Sequence, residues 1–148
     1  MTELRFYHLQ RKSLEQALPE LLEKAHGRGM RALVLTASED RAEQLCQHLW
    51  TYKPDSFLVH GSAKDGNAAQ QPIYLTSEDS NPNGATVLFL VDGAHSRQIG
   101  SFELACDLFD GADDEAVTAA RRRWAEAKQA GHALTYWQQT DKGWEKKA

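Results

Sequence analysis

A strand, turn, helix and strand in the last third of the chain constrain its fold more than any other stretch. Leu104-Ala105-Cys106-Asp107-Leu108-Phe109 is an apolar run of strand length. Asp110-Gly111 is a turn signal, and Asp113, Asp114 and Glu115 place negative charge where a helix N-terminus attracts it. Gly131 stands where a glycine ends a helix, and Leu134-Thr135-Tyr136-Trp137 reads as a last edge strand. On a wheel of about 100° per residue, Ala116, Ala120, Ala127 and Ala130 form a smooth stripe that predicts close approach to a sheet. Val117 and Trp124 lie on one shoulder of the stripe, with Arg121 and Lys128 just beyond. An aromatic plate beside two cations suits an acidic peptide with an apolar end group. The same pattern also fits a core tryptophan next to a solvated cationic face.

The upstream sequence alternates in the same way. Leu4–Leu9 is a compact strand, and Ser13 with Gln16 predicts a capped helix carrying Leu14, Ala17, Leu18, Leu21, Leu22 and Ala25 on one face. Pro19 predicts that the regular part of this helix starts near it or is kinked. Met30–Thr36 is continuously apolar, as a strand buried on both faces is, and Ser38 caps a helix over Glu39–Tyr52. Ser56–His60 reads as a short strand or extended arm, Gly61–Gln71 as a loop, and Pro72–Leu75 and Thr86–Val91 as strands. His95–Phe102 reads as a short helix. This alternation predicts an α/β fold. It would be a single domain over residues 1–148, a three-layer sandwich with a mostly parallel central sheet and helices on both faces. The form is Rossmann-like without a nucleotide site, with a polar tail from about residue 139.

Charge and motif content narrow the chemistry. The net charge is −4, yet the region from Ala116 onward carries seven Lys/Arg against three Asp/Glu, so +4, which leaves −8 for the rest. That asymmetry predicts one localised anionic partner rather than a nucleic-acid coat. Cys46 and Cys106 read as buried free thiols. No phosphate-loop or dinucleotide fingerprint is present, and Gly61–Gly66 only approximates one. The histidines lack metal-ligand spacing, so no metal or cofactor is expected. No apolar run reaches the length of a membrane span, which predicts no membrane contact and a cytoplasmic location. The enzyme alternative is a small α/β hydrolase or nucleotide-binding protein using Asp92 and His95, after the best strand, or the Gly61–Gly66 loop. A second aromatic group, Trp50 with Pro54 and Phe57 around a helix break, reads as core packing or a docking knob.

In order and spacing, Phe6-Tyr7-His8-Leu9, Leu49-Trp50, Ser56–His60, Asp107–Gly111, Ala120–Trp124, Lys128–His132 and Leu134–Trp137 resemble the chi subunit family of the bacterial DNA polymerase III holoenzyme. The resemblance implies a non-catalytic replication subunit with two binding surfaces. One would take the acidic C-terminal tail, ending in Pro-Phe, of single-stranded DNA-binding protein. Its residues fall on Arg121 and Trp124, with Lys128, Phe109 and Val117 around them. The position after Trp124, basic in some members, is Ala125 here. The other surface, near Trp50, Pro54 and Phe57, would dock the psi subunit of the clamp loader or a helicase. DNA would be met mainly indirectly.

Overall fold

The computed structural model describes residues 2–10, 12–51, 60–62, 64, 67–140 and 143–147. Among them are eight strands and three α-helices. In chain order they are β1 (Glu3–Leu9), α1 (Leu14–Gly27), β2 (Ala32–Leu35), α2 (Glu39–Thr51), β3 (Gly61–Ser62), β4 (Ile73–Thr76), β5 (Val87–Val91), β6 (Leu104–Asp110), α3 (Asp114–Gln129), β7 (Ala133–Thr140) and β8 (Gly143–Lys146). The strands form one sheet in the order β3-β4-β2-β5-β6-β1-β7-β8, parallel throughout except for the β7–β8 pair. The expected α/β sandwich with a mostly parallel sheet is what the chain forms.

Period-two side-chain alternation divides the core between two faces. Tyr7, Val34, Leu75, Phe89 and Leu108 pack against α1 and α2 on one face. Leu4, Phe6, Leu33, Leu88 and Phe109 pack against Ala120 and Ala127 of α3 on the other. The central strands β2 and β5 are buried at every position, as their unbroken apolar runs require. Cys46 and Cys106 are buried and unbridged.

Several local expectations change. Helix α1 begins at Leu14, five residues before Pro19, and continues through it. Pro19 lacks the N–H that would bond the Glu15 carbonyl, and the His48 ring of α2 stands 2.6 Å from that oxygen instead. Gly61-Ser62, expected in a loop, pairs with Tyr74 and Leu75 as β3. The expected helix over His95–Phe102 contracts to one 3₁₀ turn at Ile99–Ser101. Of the predicted alanine stripe, Ala120 and Ala127 are buried, while Ala130 is exposed beside the helix end. The polar end of the chain turns back as β8 because Trp144 packs edge-on against Tyr7, with ring centroids 4.8 Å apart. Ser56–Val59, Pro54 and Phe57 lie outside the described residues. No helix among the described residues is long and apolar enough to cross a membrane.

Candidate functional site

Helix α3 presents its working face because both of its ends are fixed. At the N-terminus Asp113 accepts hydrogen bonds from the backbone N–H of Glu115 (3.0 Å) and Ala116 (3.4 Å), satisfying donors that a helix leaves open. At the C-terminus Gly131 takes φ +84°. The N–H of Gly131 reaches the Lys128 carbonyl and that of His132 reaches the Ala127 carbonyl, a Schellman closure. Before the helix, Gly111 passes so close to β1 that a Cβ there would lie 2.0 Å from the His8 ring and 2.7 Å from the Leu9 carbonyl. Glycine at this point of the turn lets β6, β1 and α3 converge.

Val117, Ala120, Arg121 and Trp124 repeat along α3 at intervals that share one face. Together with Phe6 of β1, Phe109 of β6 and Tyr136 of β7 they line a cavity of about 390 Å³, within the range of ordinary ligand pockets. Phe6 and Tyr136 are register partners across β1 and β7. Trp124 is half-buried. It meets Phe6 edge-on at 5.3 Å and Tyr136 edge-on at 6.1 Å, geometries that aromatic quadrupoles favour. Phe109 lies 6.2 Å from Tyr136. The indole is therefore braced by its own protein on two sides while the cavity beside it stays open.

Arg121 is exposed at the rim and forms no ion pair among the described residues. Its charge is felt inside the site. Burial, then Arg121, holds the His8 imidazole below its ordinary value. Burial raises the Tyr136 phenol and Arg121 opposes that rise. His8 is hydrogen-bonded to the Tyr136 hydroxyl and packs against Phe109 at 5.2 Å, so it fixes two of the pocket's walls.

Four of the five residues expected here (Phe109, Val117, Arg121 and Trp124) converge on one cavity. Lys128 is exposed on the same helix but does not line the pocket. Phe6, Tyr136 and His8 were not foreseen as site residues. Their signal was the aromatic alternation within β1 and β7, which reveals a face but not which strand lies beside it. Arg123, two residues from Arg121, points elsewhere. Its Nε and Nη2 donate to the two oxygens of the buried Asp107 carboxylate, at 2.5 and 3.0 Å. A carboxylate inside the apolar run of β6 was the signal that one of the three arginines would be needed there.

At the second aromatic group, Trp50 is 48% exposed and its ring lies 4.2 Å from that of buried His60. Pro54 and Phe57, its expected companions, are outside the described residues. The groups of the enzyme alternative do not converge. Asp92 holds Arg41 at 2.7 Å and borders one cavity, while His95 borders another. Gly61 belongs to β3, and Gly66 is outside the described residues.

Fold and site together describe an α/β sandwich whose third helix frames an aromatic pocket with a free cation at its mouth. The sequence model of the family described as DNA polymerase III chi subunit, HolC, matches residues 1–135. The chain belongs to the DNA polymerase III chi subunit family. It is also 36% identical over 91 residues to a protein described as "Probable DNA polymerase III subunit chi" from Rickettsia prowazekii (strain Madrid E). That match covers 62% of this chain and 55% of the relative's length.

Proposed function

We propose that the chain is a non-catalytic accessory subunit of the DNA polymerase III holoenzyme that binds the acidic C-terminal tail of single-stranded DNA-binding protein. The observation that carries this reading is the unpaired Arg121 at the mouth of a pocket walled by Phe6, Phe109, Val117, Trp124 and Tyr136. The tail's terminal Phe enters the pocket against Trp124. Its carboxylates meet Arg121, with Lys128 supplying a more distant positive field. Such a charge-assisted contact contributes about 1.5–3 kcal/mol, part of the roughly 8 kcal/mol that a micromolar affinity requires, with burial of the terminal ring supplying much of the rest. The charged part falls with salt. Many tails on one DNA-bound oligomer raise the effective concentration and strengthen the tether. Exposed Trp50, on another part of the molecule, is the proposed anchor for the clamp-loader psi subunit or a helicase.

Arg121 is exposed, so its removal separates binding from folding. Arg121→Ala is expected to weaken a labelled Asp-rich peptide ending in Pro-Phe by about ten-fold or more in calorimetry, with an unchanged melting temperature. Unchanged affinity would remove the site assignment.

A further inference from the structure

The opposite face of the sheet carries a second recess, about 450 Å³ in volume, between the C-terminal half of α1 and the β7–β8 ribbon. No described helix covers the β7–β8 edge on this side, and the floor there is aromatic. Tyr7 stacks with Trp137, centroids 6.4 Å apart and planes 21° apart, and meets Trp144 edge-on. Trp137 and Trp144 are each only partly buried. The Arg5 guanidinium sits 5.8 Å from the Trp137 ring centroid. The α1 side supplies Lys24 and, at the helix C-cap, Arg28, both exposed and neither in an ion pair among the described residues. By contrast, Arg5 is paired with Glu3 and Lys12 with Glu20. Lys146 stands opposite Trp137 in the hairpin register, on the strand face that carries Trp144.

Indole plates beside unpaired cations are the combination that holds an unstacked base and its phosphodiester. An acidic peptide with a single apolar end residue, the guest proposed for the Arg121 pocket, would fill one plate and leave the other idle, whereas successive bases of one strand fill both. An apolar segment would leave the cations stranded. The bases of a duplex stay stacked and cannot reach the floor. We infer that this recess binds single-stranded nucleic acid, with bases against Trp137 and Trp144 and phosphates on Lys24 and Arg28. The net charge of −4 does not oppose this, because at ordinary salt a phosphate responds to charges within about 10 Å. The recess shares no lining residue with the Arg121 pocket, so the two sites stand or fall separately.

The test uses the full chain and fluorescein-labelled oligo(dT) and oligo(U) of about 12 nucleotides, read by anisotropy from about 20 mM salt upward. Binding to at least one oligonucleotide is expected, with quenching of tryptophan fluorescence. Tighter oligo(dT) assigns the site to DNA and tighter oligo(U) to RNA. The double variant Lys24→Gln, Arg28→Gln should bind about ten-fold more weakly and flatten the log–log salt slope by about 1.4, or about 0.7 per phosphate contact. Trp144→Ala should weaken binding about ten-fold. If that variant loses structure, the surface double variant decides. Arg121→Ala should leave oligonucleotide binding unchanged. No binding of either oligonucleotide at low salt overturns the proposal, as does wild-type affinity in the double variant. So does a poly-glutamate peptide that competes at equal concentration, which would assign the recess to an acidic protein segment.

Discussion

Three consecutive arginines in α3 meet three different fates. Arg121 is free at a pocket rim, Arg122 is exposed, and Arg123 is locked onto Asp107. Burial pushes the Asp107 carboxyl up, and the Arg123 guanidinium pulls it back toward the ionised form. Removing Arg123 would leave a carboxylate that is only 2% exposed without its counter-charge. Arg123→Ala is therefore expected to cost about 3–5 kcal/mol in a urea melt, whereas Arg121→Ala should leave the midpoint in place. His8 adds a pH dependence with a definite sign. Its native value lies below the ordinary 6.5, so the folded state resists protonating it. The stabilisation is complete above pH 6.5 and is lost as pH falls from there through the lowered native value. His8→Gln should flatten the decline in melting temperature between about pH 7 and pH 5. A slope identical to the wild type would show that His8 contributes nothing to it. The arginine run was plain in the sequence, but its division of labour was not. A wheel shows direction around one helix and says nothing about Asp107 waiting on the neighbouring strand.

At the scale of elements, α1 shows why a local rule failed. Pro19 should delay the start of the helix or kink it because it leaves one carbonyl without a donor, yet the helix starts five residues earlier and the imidazole of His48 occupies that carbonyl from the adjacent helix. The rule concerned the hydrogen bond, and a tertiary contact restored it. A double-mutant cycle isolates the effect. His48→Ala should destabilise by about 1 kcal/mol in the wild-type background and by markedly less with Pro19→Ala, where the helix regains its own N–H donor. Equal losses in both backgrounds would mean that the contact is incidental. Strands β1, β2, β4, β5 and β6 were legible because apolar runs of strand length mark themselves. Helix α3 was legible down to its Gly131 stop. Strand β8 was not, since Trp144 is its one large apolar residue and only the Tyr7 edge reveals what it packs against.

For the whole molecule, sheet order decides what the site is made of. Strand β1 lies between β6 and β7, so the first and last thirds of the chain meet beneath α3. That adjacency sets Phe6 beside Tyr136 and His8 beside Phe109, and no local pattern could have announced it. The face with α3 and the face with α1 then carry separate recesses of different chemistry, one with a lone cation over an aromatic pocket and one with several cations around indole plates. The central claim is that the first of these recognises a terminal aromatic ring and the acidic charge preceding it. Calorimetric titration with two peptides tests it most directly, one an Asp-rich tail ending in Pro-Phe and the other the same tail without its final Phe. The account predicts micromolar binding of the first and a loss of about ten-fold or more for the second. Equal affinity for both peptides would contradict it.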